Sequence, residues 1–530
     1  MRGRFEKRNF ECVVNATRAP FGPKDVTMRL VKFFPVLVIL CLCAAPPSFG
    51  QSTAKPSSQD FVQRSGTKLT LDGKPFRYSG PNIEWLGLEG YGPHDPFGPR
   101  YPSHFEIDDA LATAAEMGAR VVRSQTMGDT IGCSLCIEPE LGKFNDGAFA
   151  ASDYAIATAA KHNIRLIVTL IGDCATCAGG GIGEYLAWNK QQNPQAFFTD
   201  PAIIAAFERH IDAVLNHRNA ITGVRYRDDP TILAWENCNM CGIFALFMHG
   251  DLGQVAAWSQ TIGEHIKQVD SRHLYLDTTG IFRAYPKVLA NAASDVVTFE
   301  MYPHWDSLLG PGQPPTTAET FSQDAAAVTS HGKVFIVNEF GWDRTDWKTQ
   351  DDLQNLLGTM EHDTNISGDD FWALQAHVDN FGFQLIPADT DNAAYAERGE
   401  SGEWWALYYP GRKTLVMSAE DMAARAQLLR SHAYAMAGLA VPKHAVPPAP
   451  VITSVVIGGL VAWRGSAGAV RYSIERLDSA TGQWQTVCDK CATDMDDPWI
   501  DPHPAPGFGA QYRVTAFNAD GVASVTSQPH

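Results

Sequence analysis

The central part of the chain alternates between short apolar runs and longer stretches whose apolar positions recur at helical spacing. The helical stretches include DDALATAAEMGA and AIIAAFERHIDAVLNH. Continuous apolar strands separated by helices predict a parallel sheet that is buried on both faces. The predicted strands are 76–82, 119–126, 164–173, 231–237, 273–280, 296–303, 334–342 and 369–377. Eight such strands predict a (β/α)8 TIM barrel, whose site lies at the C-terminal ends of the strands.

Two further stretches have β patterns. LTLDGKPFRYSG, which ends at Gly80, places an Asp-Gly turn between two strand-like runs and predicts a hairpin. Beyond residue 450, runs such as VRYSIERLD and AQYRVTAFNADG alternate between apolar and polar positions. They predict a small all-β sandwich that resembles a fibronectin type III module, with Trp463 and Tyr512 in its core.

The 530 residues are too many for one ordinary core, so we expect two folded units with extensions. The segment 28–50 has basic residues, an apolar run too short to span a membrane comfortably, and then small residues. That order predicts a secretory signal peptide, and a cytoplasmic tail on a signal anchor is the alternative. The predicted divisions are 1–50 (upstream extension and signal peptide), 51–65 (leader), 66–438 (barrel), 439–450 (proline-rich linker) and 451–530 (β-sandwich).

Composition and charge narrow the possible partners. The chain is 19% charged and 45% hydrophobic, which is typical of a globular protein. Its formal net charge of -17 argues against binding to nucleic acid or an anionic membrane, because both need basic patches. We expect a secreted protein, extracellular or periplasmic, with no membrane attachment after signal cleavage. We also expect a monomer that acts on a neutral polymer.

The cysteines form a regular pattern. Three of the eleven precede the expected cleavage site, and the other eight form four CxxC pairs. These pairs are Cys133/Cys136, Cys174/Cys177, Cys238/Cys241 and Cys488/Cys491. CxxC pairs also occur in zinc and redox sites, but an even set in an exported chain favours disulfides. We therefore expect no metal and no cofactor.

Polar and aromatic residues collect at the predicted C-terminal strand ends. They are Asn82, Arg123, Asp173, Asn239, Glu300, Tyr302, Glu339 and Trp372. Cleavage of a glycosidic bond needs a carboxylate nucleophile, a carboxylic acid and donors that hold sugar hydroxyls, and this set contains all three. The sequence has no P-loop, HExxH or GxSxG motif that would indicate another chemistry. The expected partner is a β-linked polysaccharide or oligosaccharide.

Several of these stretches resemble a known family. GKPFRYSGPNIEWL, ARVVRSQTMGD, YRDDPTILAWE, VVTFEMYPHW and VNEFGWD are similar to segments of the endo-β-1,4-mannanases of glycoside hydrolase family five. The resemblance runs from about Gly66 to Gly438. It implies a retaining enzyme on a (β/α)8 barrel that cuts mannan, glucomannan or galactomannan internally, without a metal.

The resemblance also implies roles for individual positions. Glu339 matches the seventh-strand nucleophile, and Arg123 matches the arginine that braces it. Tyr302 matches a sixth-strand tyrosine, and Trp372 matches the eighth-strand platform under the central sugar. Asn82 matches a first-strand asparagine near the site. With the exception of Glu339, we expect all of these residues to bind substrate.

Three positions depart from the family pattern. The family's fourth strand ends in Asn-Glu-Pro, with the glutamate as acid/base, whereas here Asn239 is followed by Met240. The sixth-strand histidine is Glu300, and a second-strand tryptophan is Gln125. One hypothesis is an active hydrolase whose acid has moved to Glu300, or alternatively to Glu236, with Asn239 binding substrate. The other is a lapsed enzyme that binds glycans on the same barrel. We favour the first.

Overall fold

The computed structural model describes residues 61–90, 98–172, 181–242, 250–280, 283–302, 316–341, 350–384, 406–414, 417–494, 497–505 and 510–530. The expected upstream extension, the signal peptide and 51–60 of the leader lie outside these ranges, as do Asp173 and the Cys174/Cys177 pair. Within these ranges, no helix combines the length and the hydropathy that a membrane crossing requires. Residues Lys55–His530 form one compact unit.

The N-terminal hairpin closes one end of the barrel. Three short antiparallel strands, β1 (Gln63–Ser65), β2 (Lys68–Leu71) and β3 (Lys74–Pro75), form its sheet. Asp72 and Gly73 join β2 to β3 with φ of 52° and 71°, which the predicted two-residue turn requires at both positions. Leu69 and Phe76 pack on the apolar layer inside the barrel.

Eight parallel strands form the barrel, as predicted. They are β4 (Tyr78–Pro81), β5 (Val121–Ser124), β6 (Arg165–Thr169), β7 (Ile232–Glu236), β8 (Leu274–Asp277), β9 (Val296–Met301), β10 (Val334–Phe340) and β11 (Ile366–Phe371). The sheet order is β4-β11-β10-β9-β8-β7-β6-β5. An Asn82–Arg123 bridge and a 2.9 Å hydrogen bond from Ile83 N to Arg123 O join β4 to β5 and nearly close the ring.

Helices cover the outside of the barrel. Those in the described ranges are α1 (His104–Glu116), α2 (Ala150–Lys161), α3 (Gly181–Trp188), α4 (Ala196–Thr199), α5 (Pro201–Asn216), α6 (Leu252–Val269), α7 (Pro286–Leu289), α8 (Ala318–Ser330), α9 (Gln350–His362) and α10 (Ala419–Met436). Local sequence explains where they begin. Ser103 and Glu106 form a capping box at α1, and Asp200 caps α5 just before Pro201.

Strand residues alternate between two apolar layers. Val121, Ile167 and Ile336 belong to the layer inside the barrel, and the neighbours Val122, Leu166, Val168, Phe335 and Val337 pack outward in the layer against the helices. Because successive side chains of a strand point to opposite faces, the position of a residue along its strand indicates whether it faces the barrel interior or the helices. Towards the C-terminal ends, polar side chains replace the apolar ones on the inner face, and there the candidate site begins.

The eighth strand differs from its prediction. It was predicted at 369–377 but spans Ile366–Phe371, and Leu374–Gln375 forms a separate short strand, β12, that pairs with β13 (Leu407–Tyr408). The prediction missed its beginning because ISGDDF is not apolar. Asp369 and Asp370 are nevertheless buried, since His432 and Tyr78 hydrogen-bond to their carboxyl groups at 3.0 and 3.1 Å.

The C-terminal residues form two three-stranded antiparallel sheets. Their orders are β14-β15-β18 and β17-β16-β19. The strands are β14 (Val451–Val456), β15 (Leu460–Arg464), β16 (Arg471–Asp478), β17 (Gln483–Ala492), β18 (Trp499–Ile500) and β19 (Tyr512–Phe517). Trp463 and Tyr512 lie in the apolar cluster between the sheets, as predicted. We call this part, 451–530, the C-terminal module.

Candidate active site

A β-bulge brings two consecutive polar residues into the barrel. In the β9–β10 pairing, Ile336 lies opposite Thr298 and Glu339 lies opposite Glu300, so β10 has one residue more than β9 between these points. Regular alternation would turn either Asn338 or Glu339 outward. The bulge lets both face inward, where Asn338 Oδ1 accepts a 2.6 Å hydrogen bond from Thr298.

Arg123 is the centre of the site. Its guanidinium is fully buried and uses all five N–H donors on protein acceptors. Nε and Nη2 bond the two Glu236 oxygens at 2.7 Å each, and Nη2 also bonds Asn239 Oδ1 at 2.7 Å. Nη1 bonds Asn82 Oδ1 at 2.8 Å and Glu339 Oε2 at 2.9 Å. A planar cation with every donor occupied holds the carboxylates in one fixed arrangement.

Glu236 is held in place by hydrogen bonds and in turn supports Arg123. Its side chain is completely buried and also accepts hydrogen bonds from Thr169 Oγ1 at 2.6 Å and Asn338 Nδ2 at 3.0 Å. Four donors therefore surround a carboxylate that no solvent reaches. These contacts give it no path to a sugar oxygen, which argues against Glu236 as the displaced acid.

Glu339 is oriented from two sides. Arg123 donates to Oε2, and the Tyr302 hydroxyl donates to Oε1 at 2.7 Å. Burial raises the pKa of Glu339, and the Arg123 charge and the Tyr302 hydrogen bond act against that rise. Burial and the Glu339 charge together raise the pKa of Tyr302 well above its usual value, so this phenol remains a donor.

Glu300 lies beside Glu339 on the neighbouring strand. The two residues are paired in register, and Glu300 lies on the inner face between Thr298 of β9 and Tyr302 just after it. Both carboxylates are nearly buried, at 5% exposure for Glu300 and 4% for Glu339. Neighbouring strands lie about 4.8 Å apart, so these two inward-facing side chains start from adjacent backbone positions.

The remaining predicted residues lie around this pair. Asn82 is completely buried, and its Nδ2 donates to backbone oxygens of Asn338 and Asp370. Like Arg123, it is positioned to hold other side chains rather than to touch a sugar directly. Trp372 follows β11 and is partly exposed, and its backbone N–H donates to Phe340 O at 2.8 Å.

Residues 238–241 form the loop at the expected acid position. Met240 is partly exposed, has φ of 58°, and lies between Cys238 and Cys241, which form a disulfide. Two further disulfides join Cys133 to Cys136 and Cys488 to Cys491, consistent with the disulfide prediction for these pairs. In the parts of the chain that the structure describes, no group of His, Cys, Asp and Glu is arranged to hold a metal.

Sequence reasoning missed Glu84. It lies two residues after Asn82, in the turn that follows β4. It is partly exposed, although its carboxyl group is surrounded by protein atoms. Burial, followed by the charge of Glu339, raises the pKa of Glu84 to about 7. Burial likewise raises the pKa of Asp129 well above its usual value, with Glu236 and Glu84 contributing. The available signal was a carboxylate only two residues beyond Asn82, at the C-terminal end of the first strand.

Glu84 predicts a pH-dependent stability. Its folded pKa of about 7 exceeds the ordinary 4.5, so the folded state keeps a proton that the unfolded chain releases. Stability conferred by this site is therefore fully present below pH 4.5 and lost as pH rises through 7. Glu84→Gln, which mimics the neutral carboxyl, is expected to be more stable than the wild type at pH 8, by up to about 3 kcal/mol, and equal at pH 4.

Urea denaturation at both pH values measures this difference. Glu140→Gln is the matched control, because Glu140 is 68% exposed and its ion pair with Lys143 contributes little. Equal stability of Glu84→Gln and wild type at pH 8 would contradict the assignment of a raised pKa to Glu84.

The fold and the site together define a class of protein. A parallel eight-stranded barrel with carboxylates and a buried arginine at the C-terminal ends of its strands has the architecture of a (β/α)8 glycoside hydrolase. In a comparison with models of protein families, the one described as GH family 5 beta-mannosidase-like matches residues 59–376 of this sequence. The chain belongs to that family.

Individual relatives agree with this placement. The chain is 35% identical over 239 residues to mannan endo-1,4-beta-mannosidase 2 of Oryza sativa subsp. japonica, covering 44% of this chain and 50% of the relative. It is 32% identical over 220 residues to mannan endo-1,4-beta-mannosidase 2 of Arabidopsis thaliana, covering 40% and 47%. This chain thus spans about half the length of the curated relatives it matches.

A solved structure extends the similarity to the fold. The endo-1,4-beta-mannanase from Rhizomucor miehei superposes with a TM-score of 0.54 at 25% identity, covering 71% of this chain and 99% of that one. The endo-beta-1,4-mannanase from Thermotoga petrophila superposes with a TM-score of 0.52 at 20% identity, and it bears on the fold alone.

Proposed function

We propose that this protein is a secreted, monomeric, retaining glycoside hydrolase that cuts β-1,4-linked mannan or a related polysaccharide without a cofactor. The observation that carries the proposal is Glu339, held through both carboxylate oxygens by Arg123 and Tyr302 and paired in register with Glu300. The relatives' names, mannan endo-1,4-beta-mannosidase, supply the substrate class. Release of reducing ends from mannan, glucomannan, xylan and cellulose tests it, and mannan is expected to be cleaved fastest.

Glu339 is the proposed nucleophile. Its two donors fix the orientation of the carboxylate while leaving lone pairs for attack on the anomeric carbon. Attack forms a glycosyl ester of Glu339 and releases the leaving alcohol, and water then hydrolyses the ester. Arg123 and Tyr302 favour the ionised form that attack requires. Trp372 and Asn239 are the proposed sugar contacts, while Asn82 and Arg123 act through Glu339.

Glu300 is the proposed proton donor, because no carboxylate occupies position 240. General acid catalysis typically contributes about 10²–10⁴-fold, and a leaving group that departs without a proton does not need it. Glu300→Gln is therefore expected to slow cleavage of mannan by a factor in that range while sparing a dinitrophenyl β-mannoside. The measurement is kcat/KM for both substrates with wild type and variant.

Glu84→Gln is the matched comparison for the proton donor. It too removes one carboxyl from the mouth, and Glu84 is the alternative source of a proton. Selective loss on mannan in Glu84→Gln but not in Glu300→Gln would transfer the role to Glu84. Equal losses of Glu300→Gln on both substrates would give Glu300 a binding or structural role instead.

The second candidate function is glycan binding without hydrolysis. The observation that favours it is Met240 at the position where the family has its acid/base. Binding of mannohexaose to the wild type, with no turnover of either mannan or the dinitrophenyl glycoside, would establish this function in place of the first.

A further inference from the structure

The segment that follows β11 runs from the barrel mouth to the C-terminal module. It begins with Trp372, and Leu374 N donates to Asn82 O at 3.0 Å. Further along, Gln384 N donates to Ala376 O at 2.8 Å, and His377 pairs with Phe383. Residues 376–384 therefore form a small hairpin, which begins only four residues after Trp372. We call it the 376–384 hairpin.

A buried histidine clamps this hairpin between the barrel and the module. His377 Nδ1 lies 2.8 Å from Asp109 on α1, and Nε2 lies 3.0 Å from Asp494 of the module. The exposed fractions of the three residues are 1%, 5% and 2%. The Tyr472 hydroxyl also donates to Asp494. With a carboxylate at each ring nitrogen, the imidazole carries two protons and a positive charge.

The charges around His377 also favour the protonated imidazole. Burial alone lowers the pKa of His377, but the charges of Asp109 and Asp494 outweigh it and raise this pKa to about 10. Above that pH the ring loses its charge, and the two carboxylates lose their shared cation. At ordinary pH the clamp therefore binds one element of the barrel and one of the module to the same side chain.

The tip of the hairpin enters the module. Phe381 packs edge-on against Trp463 of the module core, with ring centroids 5.1 Å apart. Arg464 Nε donates to Asp379 O at 2.9 Å, and Thr453 Oγ1 donates to Asn380 O at 2.7 Å. Strands β14 and β15 thus each hold the tip through one side-chain hydrogen bond.

One glycine of the module, Gly465, lies directly against the imidazole ring of His377. A Cβ atom on Gly465 would lie 2.0 Å from Cδ2 and 2.4 Å from Nε2 of His377. Any side chain at 465 must therefore displace the imidazole or separate the module from the hairpin. Gly465 lies in the module and far along the chain from the barrel strands, so its substitution perturbs the clamp without altering any residue at the barrel mouth.

We infer that the C-terminal module is a positioning element of the substrate cleft, which holds the 376–384 hairpin and through it the sugar platform Trp372. This inference rests on the proposed function, because it takes Trp372 as a sugar contact. In this arrangement the module is more than a spacer joined by a proline-rich linker. His377, Asp494 and Gly465 are positioning residues, since none of them touches the reacting atoms.

Gly465→Ala tests the inference in the full chain. Loss of the alignment of Trp372 is expected to raise KM for mannohexaose by about three- to tenfold, which corresponds to about 0.6–1.4 kcal/mol of binding free energy, while kcat changes by less than about twofold. Calorimetric titration of mannohexaose onto the variant is expected to show the same fold-change in Kd. Hydrogen exchange is expected to speed up in 372–384 and to remain unchanged in 334–340.

Gly358→Ala is the control, because an added methyl at that helical position meets nothing within 4 Å. If Gly465→Ala does not fold, Asp494→Asn, which keeps the size of the side chain, replaces it. Wild-type KM, Kd and exchange rates in the folded variant would overturn the inference. Absence of both binding and cleavage of mannohexaose by the wild type would instead overturn the proposed function.

Discussion

Glu339→Ala is expected to lower turnover of both mannan and a dinitrophenyl β-mannoside by about 10⁴–10⁶-fold, the range seen when a catalytic nucleophile or its partner is removed. An activated leaving group cannot compensate for the loss of Glu339, because a nucleophile must still attack the anomeric carbon. The fold should survive, since Arg123 keeps its two bonds to Glu236 and its bonds to Asn82 and Asn239. Steady-state kinetics together with thermal unfolding of the variant measure both effects.

Covalent trapping gives a direct second readout. A 2-fluoro mannoside with an activated leaving group is expected to add one sugar mass to the Glu339 peptide of the wild type. Glu300→Gln is the matched control, because it removes the neighbouring carboxyl and should still be labelled at Glu339. Labelling of a different peptide, or wild-type activity of Glu339→Ala, would overturn the assignment of the nucleophile.

Arg123→Met is expected to be the most destabilising single substitution in the site. It removes the cation from buried Glu236 and Glu339, and breaking a buried ion pair on one side costs about 3–5 kcal/mol. Activity should be lost as well, because the nucleophile loses one of its two orienting donors. Urea unfolding gives the free-energy change, and the dinitrophenyl glycoside assay gives the activity.

Two comparisons separate stability from function at Arg123. Arg513→Met is the control for stability, because Arg513 also bonds both oxygens of a glutamate, Glu475, but is 31% exposed and should cost less than about 1 kcal/mol. Arg123→Met/Glu236→Gln is expected to recover about 2 kcal/mol of the loss, without recovering activity. A fully stable Arg123→Met variant would show that the five hydrogen bonds of Arg123 contribute little to the fold.

Some of the site follows from residue type and spacing alone. Glu339, Tyr302 and Arg123 each end an apolar run, and the C-terminal ends of parallel strands meet at one face of a barrel. Their convergence was therefore predictable without coordinates. The absence of a carboxylate at Met240 was also visible directly, since it needs only the sequence of the fourth strand. The hairpin turn at Asp72 and Gly73 was equally local, because both residues tolerate positive φ.

The sequence by itself thus determined the number and order of the barrel strands and most of the residue types at the barrel mouth, although it misplaced the eighth strand and missed Glu84. Only the tertiary structure decided which of these residues contact one another. Arg123 bonds Glu339 from 216 positions away, a bulge in β10 turns Asn338 and Glu339 inward together, and His377 meets Asp494 of the C-terminal module. Periodicity reports which face of a strand a residue occupies, whereas partners, bulges and burial depend on how distant strands are registered and packed.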